Sequence, residues 1–267
     1  MKMKKKIDST ESLIANRCDV SIHHPTSIIP FQHIGTFLIE TEVQEHSNIM
    51  SPTRFTEELR VAAGDQWERV INHRFTKLLA SGTIEKKYLI QYLIQDHRFL
   101  DSFVVLLSSI VAKARSLQDR IPGCQFLALI TGKENTYFER SFERLGVSME
   151  ERTSIPDAPC TTAFCNLMRE VASTGSLAEM LAVIVVCEWS YLRWGELVLP
   201  TTVREDFTCF EWVDLHSGDY FASVVNYLRG LLDKELDYLN EEEKISCQKR
   251  WLQAVQCEED FFEFAMS

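Results

Sequence analysis

The sequence predicts an all-α protein, and three observations predict it. Only ten of the 267 residues are glycine. Beyond about residue 50 no run alternates apolar with polar residues, as a half-buried strand would. Over the same stretch apolar residues return at spacings of three and four, the signature of helices with one buried face.

The elements follow in order. Residues 1–52 read as an irregular N-terminal extension, and 53–267 as one helical domain of about seven helices. In the extension, Ile28 to Ile39 is apolar and β-branched but broken by Pro30 and Gly35. Four lysines in the first six residues read as a solvated end. Ser51 suits a cap and Pro52 a first helical position, so the first helix is expected to run to Gly82. Thr83 can cap a second helix ending before Pro122. A third spans about Cys124 to Gly146, a fourth Thr161 to Ser173 and a fifth Leu177 to Pro200. Two more are expected near Ser217 to Leu239 and Glu241 to Met266.

Composition narrows the function. Lys plus Arg number 28 against 39 for Asp plus Glu, a net charge of −11. Nucleic acid is therefore not an expected partner, because phosphate binding needs a basic surface. The most apolar stretch, Leu181 to Leu199, contains Glu188, Arg193 and Glu196, each costly in lipid, so no membrane span is expected. The eight cysteines form no C-x-x-C pair and no zinc spacing, which reads as reduced thiols in the cytoplasm.

The informative residues are acids in apolar stripes. One stripe runs Leu89, Leu93, Asp96, Leu100, Phe103, Leu107, and another Leu127, Ile130, Glu134, Phe138, Phe142, Leu145. The last helix gives Leu252, Val255, Glu259, Phe262, Met266. In the fifth, Leu181, Val185, Glu188 and Leu192 adjoin a face of Met180, Ile184, Cys187, Tyr191 and Trp194. Burying one ionised carboxylate costs several kcal/mol unless something compensates. Several on separate helices point to a shared polar pocket inside the bundle.

Three occupants are candidates for such a pocket. A ferritin-like metal pair needs Glu-x-x-His, and none of the seven histidines has a glutamate three residues before it, which leaves open only a looser site of carboxylates and histidine. A haem would need an axial ligand such as His73. A small aromatic ligand with basic nitrogens would suit acids surrounded by Phe, Tyr and Trp. No metal or other cofactor is expected.

Several segments resemble the TenA family, also called thiaminase II, whose fold is that of the haem oxygenases without haem. Gln95-Asp96 and the following residues to Leu100 look like the family segment whose aspartate contacts an aminopyrimidine. Cys187-Glu188-Trp189-Ser190-Tyr191 is similar to its Cys-x-Trp-x-Tyr segment, where the cysteine is the nucleophile. Glu259-Asp260-Phe261-Phe262 resembles the terminal helix, whose glutamate is acid and base. Glu134 before Tyr137-Phe138 resembles a branch that relies on glutamate chemistry. The resemblance covers residue 53 to the end. It implies hydrolysis of an aminopyrimidine or related thiamin breakdown product by a homo-oligomer, dimer or tetramer. Cys187, Glu259 and Asp96 would be catalytic, with Phe99, Glu134, Phe164, Glu188, Tyr191, His216 and Phe262 binding substrate. Glu134 or Glu188 could instead lead the chemistry. Phe99, Phe164 and His216 stand where well-known members carry tyrosine. A metal-dependent oxidase and a non-catalytic binding protein on the same fold are the rival readings.

Overall fold

A computed structural model describes residues 54–267. The expected extension, with Ser51 and Pro52 as helix-starting residues, lies outside the described residues. All regular structure among the described residues is helical.

The expected first helix is three: α1 (Phe55–Ala63), α2 (Asp65–Ile71) and α3 (Arg74–Ala80). Gly64 separates the first two with φ of 54°, a left-handed conformation that glycine adopts without cost. His73 then caps α3 by accepting a hydrogen bond at Nδ1 from the Phe75 amide. The histidine weighed as a haem ligand is thus a cap.

Next comes α4 (Lys86–Lys113), which stops well before Pro122. The proline sits inside α5 (Leu117–Leu129), a helix capped by Ser116. A five-residue π-helical turn, Ile130–Glu134, joins α5 to α6 (Asn135–Leu145). A short α7 (Met149–Ser154), not anticipated from periodicity, leads to α8 (Pro159–Thr174).

The centre of the bundle is α9 (Leu177–Val198), buried nearly all round. Its N-terminus carries a capping box in which Ser176 and Glu179 satisfy each other's backbone amides. After a turn, α10 (Phe207–Leu215), also unanticipated, packs across α3 and α6. Then α11 (Gly218–Glu235) and α12 (Glu241–Ala265) flank α9, the latter started by an Asn240–Glu243 capping box. Helices α4, α8, α11 and α12 thus surround α9. Among the described residues no helix is long and apolar enough to cross a membrane.

Two local features aim side chains inward. The π turn lies on the cavity wall, and both its first residue, Ile130, and its last, Glu134, reach the interior. Such turns often sit at functional sites. At Gly195, a Cβ would lie 2.2 Å from the His216 carbonyl oxygen. Only glycine lets α9 touch the corner between α10 and α11, and that contact seats His216.

Candidate active site

A small cavity opens inside the bundle. Helix α4 supplies Asp96, Phe99, Leu100 and Phe103 to its wall, and the π turn adds Ile130 and Glu134. Phe164 comes from α8, and Cys187, Glu188 and Tyr191 from α9. Trp212 of α10, its C-cap His216, and Glu258 with Phe261 of α12 complete it.

Four carboxyls from four segments therefore face one space, and no Lys or Arg lines it. Burial pushes Asp96 up from 3.8 to about 8. Burial and the Asp96 charge push Glu134 from 4.5 to about 8. Glu188 is raised well above the usual range by burial and then by Glu134, Glu258 and Asp96. Glu258 is raised likewise, by burial and Asp96, although a bond from the Cys187 thiol partly offsets it. Near neutral pH these groups hold protons, since like charges in a dry space disfavour one another.

The remaining polar groups are engaged with each other. The Tyr191 and Tyr92 hydroxyls lie 2.7 Å apart, and Trp212 Nε1 donates to the Tyr92 hydroxyl at 3.1 Å. Cys187 Sγ donates to the Val183 carbonyl at 3.3 Å, and the Glu258 carboxyl lies beside the sulfur. Burial, then the Glu258 and Glu188 charges, pushes that thiol well above its ordinary value, so it rests protonated. Burial lowers His216 from 6.5 to about 4, which keeps the ring neutral. Phe99 and Phe164 meet edge to face at 5.0 Å and form an apolar wall.

Most residues singled out from sequence lie on this cavity: Asp96, Phe99, Glu134, Phe164, Cys187, Glu188, Tyr191 and His216. Two do not. Glu259 points outward, where Arg69 Nε bonds it at 2.5 Å and Gln66 at 2.8 Å. Those partners lower its pKa, led by Arg69. The inward acid is its neighbour Glu258. Phe262 is fully buried but stands behind the wall, stacked on His73 and Phe75, while Phe261 faces the cavity. Trp251, Ala254, Glu258, Phe261 and Ala265, one residue earlier than the expected stripe, carry the same spacing and are all buried, as are Val255 and Phe262. Trp212 escaped notice because α10 has only nine residues, too few for a clear period. Among the described residues no three His, Cys, Asp or Glu side chains are grouped so as to hold a metal ion.

An aminopyrimidine aminohydrolase from Halalkalibacterium halodurans is 28% identical over 200 residues, 74% of this chain and 89% of that protein. A TenA homologue from Pyrococcus furiosus superposes with a TM-score of 0.71 at 23% identity, over 79% of this chain and 99% of the other. A Shewanella denitrificans domain with a haem-oxygenase-like fold superposes with a TM-score of 0.61 at 14% identity, over 81% and 93%. The fold is therefore haem-oxygenase-like. The model of the TENA/THI-4/PQQC family matches residues 62–267, most of the chain, and this protein belongs to that family.

Proposed function

We propose that the chain is a hydrolase in thiamin salvage, acting on an aminopyrimidine or related thiamin breakdown product and replacing an amine by hydroxyl. The observation that carries this reading is a cationless, aromatic-walled cavity with four interior carboxyls and a cysteine. Carboxyls without cationic partners are completed by a ligand that brings N–H donors or positive charge.

The pyrimidine ring packs against Phe99 and Phe164, with Tyr191 at its side. Asp96 accepts from the amidine-like edge and, once paired, ionises. Glu134 and Glu188 accept the remaining donors. The donor-rich ligand favours ionised carboxyls, so Glu258 gives up its proton to solvent on binding and can then take the thiol proton of Cys187, and the thiolate adds to the ring. Electrons released through the adduct expel the amine, which departs as ammonia with the proton from Glu258. Water then gives Glu258 a proton while its oxygen takes the vacated carbon. The C–S bond breaks, and the thiolate recovers its proton from Glu258. The raised thiol pKa makes the base indispensable, because almost no thiolate exists at rest.

The test is ammonia release from aminopyrimidines bearing an alkylamine substituent. The wild type is expected to release one ammonia per hydroxyl product, and Cys187→Ser to fall by about 100-fold or more. Binding without ammonia release would make this a binding protein. Full activity in Cys187→Ser would hand the chemistry to a glutamate.

We also propose a cytoplasmic homo-oligomer, dimer or tetramer. Seven described cysteines are free thiols, which supports a reducing compartment.

A further inference from the structure

His216 stands at the end of α10 with its ring enclosed by Tyr191, Trp212, Trp194 and Phe221. Its Nδ1 lies 2.8 Å from the Trp212 carbonyl oxygen. A carbonyl can only accept, so Nδ1 must carry the hydrogen. In a neutral imidazole one nitrogen donates and the other accepts, so Nε2 is left as a bare lone pair. Nε2 bonds nothing among the described residues, while His216 lines the cavity. The close approach of α9 to the His216 carbonyl at Gly195 places the backbone that carries the ring.

The rest of the wall sharpens the consequence. Trp212 Nε1 is spent on Tyr92, and the Tyr191 hydroxyl is held by the Tyr92 hydroxyl. The other polar groups are the four carboxyls and the Cys187 thiol. A group at Nε2 therefore meets an acceptor, which becomes a donor only if the ring exchanges tautomer and loses the bond to Trp212 or takes up a second proton, which burial opposes.

We propose that His216, locked as the Nδ1–H tautomer by the Trp212 carbonyl, is a specificity-determining residue whose Nε2 reads an N–H donor on the substrate and selects amino over oxo pyrimidines. The inference rests on the aminopyrimidine reading above and adds what this chain does at one position. An oxo group there would set two acceptors against each other in a dry site, and the mismatch costs far more than a lost contact.

Two measurements on the full chain test it. Nitrogen-15 spectra of histidine-labelled protein should show His216 protonated at Nδ1 and bare at Nε2 near neutral pH. The Nε2 signal should move when 4-aminopyrimidine is added. Binding of 4-aminopyrimidine and 4-pyrimidinone is then compared in wild type, His216→Gln and His216→Phe. The wild type should favour the amino compound by about tenfold or more, the usual size of such a mismatch. His216→Gln can still present an acceptor and should keep most of that preference. His216→Phe presents no acceptor and should lose most of it. An Nε2-protonated resting ring overturns the proposal, whatever the variants do. An unchanged preference in a folded His216→Phe overturns it too, while wild-type amino binding leaves the functional reading standing. Failure of the wild type to bind either compound removes both.

Discussion

Helix α12 shows two ways of housing a glutamate, one residue apart. Glu259, on the outer face, is met by Arg69 and Gln66, and its acidity is strengthened. Glu258, on the inner face, meets other acids and a thiol, and its proton is held tightly. The same contrast separates the regions to which they belong. The outside of the bundle is ion-paired: Arg115 with Glu235, Arg98 with Asp157, Arg229 with Glu57. Arg229 also lies 3.6 Å over the Trp189 ring, so even a buried cation there is shared among partners. The interior places Asp96, Glu134, Glu188 and Glu258 around one space lined by no cation. Folding thus matches charges where only stability is at stake and leaves them unmatched where a ligand is to complete them.

The comparison breaks most sharply at α12 itself. Glu258→Gln keeps shape and hydrogen bonding but cannot transfer a proton. Ammonia release is expected to fall by roughly 100- to 10,000-fold. Glu259→Gln should stay within about threefold of wild type, since it alters an outward pair. Equal losses in both variants would erase the distinction.

A middle-sized effect lies in stability. The folded pKa of Asp96, about 8, exceeds its ordinary 3.8. Between those values the folded chain keeps a proton that the unfolded chain has released. Stability from this group is therefore complete at the acid end and is lost as pH rises through about 8. His216, lowered to about 4, acts in the opposite sense but only below about 6.5. Melts at about pH 6.5 and about pH 8.5 thus isolate the acids, and wild type should melt lower at the higher pH. Asp96→Asn should flatten that dependence by an amount on the order of a few kcal/mol. An unchanged slope would show that Asp96 does not hold a proton in the folded state.

The smallest effect belongs to the outer face. Arg69→Ala removes an exposed partner of Glu259, and the melting temperature should shift by about 2 °C or less, because exposed ion pairs contribute little. A large drop would mean that the outer pairs hold the fold together.

How much of this was legible in the sequence depended on how isolated each acid was. Asp96, Glu134 and Glu188 each stand alone in an apolar stripe, so their direction could be read at spacings of three and four. Glu258, Glu259 and Asp260 are consecutive, and the flanking apolar residues fit two registers. Only packing, with Trp251 and Ala254 inside and Leu252 half-buried, chooses between them. The all-helical class was equally plain, but breaks at Gly64 and His73 were not, because the apolar period continues across them. Pro122 suggested a helix end, whereas the chain turns earlier and Ser116 caps the next helix. The Tyr92–Tyr191–Trp212 contacts join residues up to 120 apart in sequence, and no local pattern announces them.

The central claim is that the interior carboxyls wait with their protons for a donor-rich ligand. Carbon-13 spectra of carboxyl-labelled aspartate, with Asp96→Asn for assignment, measure this directly. In the free protein Asp96 should titrate near 8. On addition of an aminopyrimidine its midpoint should fall, because the ligand favours the ionised form. A free-protein midpoint at its ordinary value near 3.8, unmoved by the ligand, would contradict the account.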